Sequence, residues 1–244
     1  VPSVFLRTFG CNFTCSGFGC APGVKSTEAD EVAKNIHLYK DFLSLPLVST
    51  GCDSYASWHP AFKELSPSYE TNEVVDRMLA LTPNNKWTQD NGNDVHLVIT
   101  GGEPLLGWQR VYPELLDHEG MHNLADLTFE TNGTQELDEE FYDYLGDWHG
   151  DFNFVEKNLG KFRELTFSVS PKLSVSGERW EEAICPDVIK QYQEVGVTYL
   201  KFVVDKVEDF QEVDQAVSEY RAAGFMGNVY VMPVGGTLEG YQPN

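Results

Sequence analysis

The chain of 244 residues carries 17 Lys and Arg against 38 Asp and Glu, a formal charge of −21, with 41% hydrophobic and 13% aromatic residues. This composition excludes bulk disorder and supplies apolar mass for one large domain or at most two small ones. A surface so acidic argues against a broad polynucleotide-binding face, though not against a base-like small molecule in a pocket. No run of 18 apolar residues is present, so no membrane-spanning helix is expected. No basic stretch leads into an apolar one, so no signal peptide is expected either. The chain begins at Val1 rather than Met, and its extreme N-terminus is expected to be missing or trimmed.

The apolar residues 4–6 predict a first strand, followed by Gly10 and Cys11. The glycine-rich stretch 16–25 predicts a loop. Ser26 and Thr27 precede an acidic turn, and Val32, Ile36, Tyr39 and Leu43 recur at helical spacing. Together they predict a capped amphipathic helix over 27–43. Residues 44–70 carry no clear period, and 73–81 read as a helix ended by Thr82 and Pro83.

A strand–helix alternation follows. Strands are predicted at 95–100 (VHLVIT), 126–131 (DLTFET), 165–170 (LTFSVS), 199–205 (YLKFVVD) and 228–232 (NVYVM), with helices over 109–119, 137–147, 186–195 and 207–223. About six βα units predict a parallel sheet, open or curled into a partial barrel. There is no linker, repeat or low-complexity segment, so a single domain over 1–244 is expected.

Folds of this kind carry their sites at the carboxyl ends of the strands. Every predicted strand here ends in a distinctive polar or glycine-rich group. Arg7 and the segment 10–15 follow the first, 100–104 the second and 130–134 the third. Residues 168–172 follow the fourth, Lys201 and Asp205 lie on the fifth, and 232–236 close the sixth.

Five cysteines occur, at 11, 15, 20, 52 and 185, an odd number with four in the first 52 residues. Without a secretory signal, a disulfide framework is not expected, and a reducing compartment is. Such a cluster points to metal or redox chemistry. By spacing alone, Cys11-x3-Cys15 with one further thiol suits a [4Fe–4S] cluster that leaves one iron open. Zinc, which generally wants four ligands, and unliganded thiols stay open at this point. Gly101 and Gly102 let a ligand approach the backbone, and Glu103 beside them suits an ammonium group; the alternative is an ordinary strand-to-helix turn with Pro104 at the helix start.

Taken together, GCNFTC (10–15), CDSY (52–55), TGGEPLL (100–106), ETNGT (130–134), SVSPK (168–172), KFVVD (201–205) and VMPVGG (231–236) run in order along the chain. The sequence thereby resembles the radical S-adenosylmethionine superfamily, and within it the 7-carboxy-7-deazaguanine synthase family. The resemblance implies an α/β fold, a partial (β/α)6 TIM-like barrel of the radical S-adenosylmethionine type. It implies conversion of 6-carboxy-5,6,7,8-tetrahydropterin to 7-carboxy-7-deazaguanine with loss of ammonia, a step towards deazapurines such as queuosine precursors. The cofactors implied are a [4Fe–4S] cluster, S-adenosyl-L-methionine and Mg2+. A flavodoxin- or ferredoxin-like electron donor, a homodimer and a cytoplasmic setting (host cytoplasm for a viral source) are further expectations.

One departure concerns the cluster ligands. The superfamily spaces them Cys-x3-Cys-x2-Cys, and position 18 here is Phe. The third ligand is Cys52, which begins a matching Cys-Asp-Ser segment, with Cys20 as the alternative. Cys52 requires an insertion over 16–51 in the cluster loop. Cys185, before Pro186, reads as a structural thiol.

By resemblance, Arg7 holds a substrate carboxylate, a task suited to its guanidinium fork. Thr100, Thr134, Met232 and Pro233 complete the substrate contacts. Ser54 ligates Mg2+, a hard cation that prefers oxygen. Gly51, Asp53, Gly101, Gly102, Glu103, Glu130, Asn132, Ser170, Pro171 and Lys172 bind the cofactor, and Lys201 is a weaker candidate. The family continues beyond the final motif, so a short C-terminus or a differently completed pocket is expected. The alternatives are a radical enzyme of the same superfamily acting on another substrate, or a zinc-stabilised binding module using Cys11, Cys15, Cys20 and Cys52.

Overall fold

A computed structural model of the chain describes residues 1–157 and 161–235. Gly236, the end of the last motif, and the expectation about the C-terminus lie outside the described residues.

Six strands form one all-parallel sheet. They are β1 (Ser3–Thr8), β2 (His96–Gly101), β3 (Asp126–Thr131), β4 (Glu164–Val169), β5 (Val197–Val204) and β6 (Val229–Pro233). Their spatial order is their chain order, and β1 and β6 are not hydrogen-bonded to one another. Because every pairing is parallel, the strands' carboxyl ends all lie on one side of the sheet. The architecture is compatible with a partial barrel, left open between its first and last strands.

Alternation along the strands explains how the sheet is solvated. On β3, Leu127, Phe129 and Thr131 are buried while Asp126, Thr128 and Glu130 are half-exposed; β5 alternates the same way. Successive side chains of a strand point to opposite faces. The buried set packs under the helices, where Phe129 stacks on Phe167 at 5.7 Å and Phe167 on Tyr192 at 4.5 Å. The other set lines the concave side.

Eight helices are described. α1 (Glu28–Lys34) lies in the loop after β1, and α2 (Thr71–Ala80) precedes β2. The connections carry α3 (Tyr112–Leu116), α4 (Glu139–His149), α5 (Phe152–Lys157), α6 (Trp180–Ala183), α7 (Pro186–Val195) and α8 (Phe210–Ala222). On α7 the residues Val188, Ile189, Tyr192 and Val195 are buried, the i, i+4, i+7 face expected of a helix lying on a sheet.

Several predicted helices are shortened. The helix expected over 27–43 stops at Lys34, and 3-10 turns follow at Ile36–Leu38 and Phe42–Ser44. At the break, the Asn35 side chain donates to the Glu31 carbonyl at 2.9 Å, taking the acceptor that the backbone would need. Asp41 then caps the next turn by accepting from Ser44 N at 3.0 Å. The helix expected over 109–119 begins only at Tyr112, before Pro113. Helices α5 and α6 are too short to leave a readable period and were not expected.

Segment 16–51, the expected insertion, returns to where it leaves. Ser26 N donates to Ser16 O and Gly51 N to Phe18 O, each at 2.7 Å. Glu28 accepts from the Ser49 amide at 2.7 Å and the Thr50 hydroxyl at 2.6 Å. These bonds close the base of the loop and carry residue 52 back beside residue 15.

Candidate active site

A cavity of about 370 Å³ opens at the carboxyl ends of the strands. Its walls hold Cys11, Cys15 and Cys52, the three thiols separated in sequence by the loop. Cys20 is not among the lining residues; its thiol donates to the Ser16 carbonyl at 3.8 Å. Phe13, Phe18 and Ala183 pack around the three lining thiols. Burial raises the thiol of Cys11 to about 11 and raises those of Cys15 and Cys52 as well, while Lys172 pulls all three towards the thiolate. Among the described residues the buried Trp58 indole N–H finds no partner at ordinary hydrogen-bonding distance, yet it lies near enough to Cys52 to favour that thiolate. Among the described residues, no three His, Cys, Asp or Glu side chains already stand as a group able to hold a metal ion. The thiols share one cavity without being drawn together.

Part of the remaining wall comes from one rung of the sheet. Arg7 registers with Thr100, and Glu130 with Ser168. Thr100 joins the two pairs by donating its hydroxyl to Glu130 Oε2 at 3.3 Å. Glu130 also pairs with Lys201 at 3.6 Å. Arg7 Nη1 donates to the Ser54 hydroxyl at 3.2 Å and the Gly101 carbonyl at 3.3 Å, and Ser54 donates to Asp53 at 3.1 Å. Three cations, Arg7, Lys172 and Lys201, thus meet on one cavity of a chain whose net charge is −21. Such a cavity suits an anionic, polar ligand.

Most of the expected site residues line this cavity: Arg7, Gly51, Asp53, Ser54, Thr100, Gly101, Gly102, Glu130, Asn132, Ser170, Lys172, Lys201, Met232 and Pro233. Glu103, Pro171 and Thr134 do not. Glu103 is 0% exposed, so the structure gives it no access to an ammonium group in the cavity. Its carboxylate accepts from Thr131 Oγ1 at 2.8 Å, Asn132 N at 2.7 Å and Leu105 N at 3.0 Å. Burial nevertheless raises its pKa. Pro171 is buried, and Thr134 faces a neighbouring hollow with Gln135 and Cys185.

The motifs also brace the cysteine loop. Glu103 N donates to Gly10 O at 2.7 Å. The Asn12 side chain bridges Asn132 at 2.9 Å and Thr134 at 3.0 Å. A Cβ on Gly102 would sit 2.2 Å from Gly10 O and 2.8 Å from the Cys11 Cβ, so only glycine lets the two loops touch.

Sequence reasoning missed Trp58 and Phe18 as wall residues and gave Ser168, within a strand-end motif, no role. Ser168 is 1% exposed and its hydroxyl has no hydrogen-bond partner among the described residues. The signal for it was present, since Ser168 and Ser170 are two apart in the strand segment and share a face. Nothing in the sequence marks Trp58.

The fold and this cavity define a parallel α/β protein with a thiol-lined, cation-bearing pocket at its strand ends. A curated protein of Pyrobaculum aerophilum, 7-carboxy-7-deazaguanine synthase, is 28% identical to the chain over 197 residues, which is 78% of this chain and 66% of that relative's length. The chain therefore matches just under two thirds of the relative. No family model and no solved structure matches it. No helix among the described residues is long and apolar enough to cross a membrane.

Proposed function

We propose that the chain is a single-domain radical S-adenosylmethionine enzyme whose Cys11, Cys15 and Cys52 hold a [4Fe–4S] cluster. The carrying observation is the meeting of those three thiols on one cavity, with Lys172 and the Trp58 N–H biased towards their thiolates. The donor set fits the group: three sulfurs, a cation to offset their charge, and an indole N–H of the kind that hydrogen-bonds cluster sulfur. When bound, the cluster and S-adenosylmethionine supply one-electron cleavage of a sulfonium to a carbon radical; the protein binds, orients and excludes water.

The substrate proposed is 6-carboxy-5,6,7,8-tetrahydropterin, and the product 7-carboxy-7-deazaguanine, with loss of ammonia. The activity named for the Pyrobaculum relative supports this assignment. Arg7 offers the guanidinium for a carboxylate, and the Glu130–Lys201 pair and Thr100 offer donors and acceptors to a polar ring. Asp53, Asn132, Ser170 and Lys172 are left for the cofactor. The volume lies within the usual range for small-molecule sites, about 300–1,000 Å³. Mg2+ is not part of the proposal, because the Arg7 guanidinium stands 3.2 Å from the Ser54 hydroxyl that was to bind it. A flavodoxin- or ferredoxin-like electron donor and a homodimer belong to the same reading.

The test is anaerobic reconstitution with iron and sulfide, followed by product mass after addition of reductant, S-adenosylmethionine and the pterin. The expected result is 7-carboxy-7-deazaguanine, dependent on both cofactor and reductant. Accumulation of 5′-deoxyadenosine alone would retain the radical chemistry and overturn the substrate. Cys52→Ser is expected to abolish iron uptake and Cys20→Ser to retain it; the reverse would overturn the ligand set.

A further inference from the structure

We infer that Glu178 is a positioning residue for the cysteine loop, holding Cys15 in the backbone conformation from which its thiol reaches the cavity. The inference rests on the proposal that this loop carries the cluster.

Cys15 adopts φ +46, and the other described non-glycine residues with positive φ are Asn84 and Asn85, side by side in an exposed turn. A left-handed conformation crowds the Cβ against the following carbonyl oxygen and is disfavoured for any residue but glycine. Glycine would relieve it, but glycine has no thiol. The offset comes from a different part of the chain. Glu178 Oε1 accepts from Cys15 N at 2.7 Å, from Thr14 N at 2.9 Å and from the Thr14 hydroxyl at 3.4 Å. Two successive backbone N–H groups converging on one carboxylate oxygen form a small anion-binding nest, and hydrogen bonds to a charged acceptor are the stronger kind.

Glu178 is itself held. Its amide donates to Ser176 Oγ at 3.2 Å, and Ser176 O accepts from Gly17 N at 2.8 Å. A Cβ on Gly17 would lie 2.6 Å from Gly177 N, so the two loops pack backbone against backbone. The turn before it is pinned from α8, where Glu212 accepts from Ser174 N at 2.8 Å. Glu178 is not among the residues lining the cavity. It therefore acts through Cys15 and not on a ligand.

The experiment compares Glu178→Ala and Glu178→Gln in the full chain, first iron-free and then reconstituted. In iron-free protein, amide exchange at residues 14 and 15 is expected to quicken roughly tenfold or more in Glu178→Ala, the scale of losing charge-assisted hydrogen bonds. Glu178→Gln keeps an acceptor oxygen but loses the charge, and is expected to fall between Glu178→Ala and wild type. After reconstitution, Glu178→Ala is expected to hold less iron and sulfide per chain and to give an altered electron paramagnetic resonance signal on reduction, with both partly restored in Glu178→Gln. If Glu178→Ala does not fold, Glu178→Asp, one methylene short, takes its place. Wild-type exchange and iron content in the shortened or truncated variant would overturn the inference. Failure of wild-type protein to take up iron would overturn the cluster proposal instead, and the exchange comparison in iron-free protein would still decide the role of Glu178.

Discussion

A fully buried carboxylate with three donors shows what a strand-end motif does at the scale of one residue. Glu103 links the β2 turn to the β3 turn through Thr131 and Asn132. Burial raises its pKa against the pull of those donors. Glu103→Gln is expected to destabilise the protein by about 1–3 kcal/mol, because an amide cannot accept at both positions and leaves one buried donor facing another. Denaturant unfolding checks it, and an unchanged midpoint would refute the linking role. The glutamate of this motif was legible as important, but not its task. Spacing suggested an ammonium partner; only its burial reveals a brace.

At the scale of elements, the close contact of the β1 and β2 loops is set by glycine. With Gly10 O 2.2 Å from an added Cβ, Gly102→Ala must push the cysteine loop outward. The expected cost is on the order of 1–3 kcal/mol for overpacking, together with loss of iron uptake. Iron content and thermal unfolding measured on the same sample check both; full iron loading with unchanged stability would refute it. The strands were legible because buried runs bounded by glycine and proline have a short, clear period; their spatial order was not. Helix ends were less so. The break after Lys34 depends on one Asn35 side chain taking a carbonyl, and α5 and α6 span too few residues to show amphipathicity.

For the molecule as a whole, the open barrel has distinct ends. The carboxyl end carries the cavity. The amino end ties together segments far apart in sequence, through the Asp94–Lys161 ion pair and a His96–Asp126 contact at 3.3 Å. Burial works against the Asp94 carboxylate, but the Lys161 ammonium and the Gln89 amide outweigh it and lower its pKa below 3.8. The stability it contributes is therefore present above pH 3.8 and is lost as pH falls through the lowered value. With Lys161 partly exposed, about 0.2–1 kcal/mol is expected. Asp94→Asn should unfold more readily than wild type near neutral pH, and the gap should close in acid; a gap independent of pH would refute the ion pair as its source.

The sequence by itself determined the six parallel strands, the carboxyl-end location of the polar groups and most of the cavity wall, because period and motif are local properties. The Cys-Asp-Ser match favoured Cys52 over Cys20 by resemblance alone, and the tertiary structure supplied the reason that Cys52 shares the cavity with Cys11 and Cys15. Cys20 is five residues from Cys15 and Cys52 is thirty-seven away, yet the bonds at the base of the loop return Cys52 to the cavity and leave Cys20 outside. It alone revealed the carboxylate of Glu178 on the amide of Cys15. Such pairings are made by chain segments folding back on one another, and nothing in the spacing of residues along the chain encodes them.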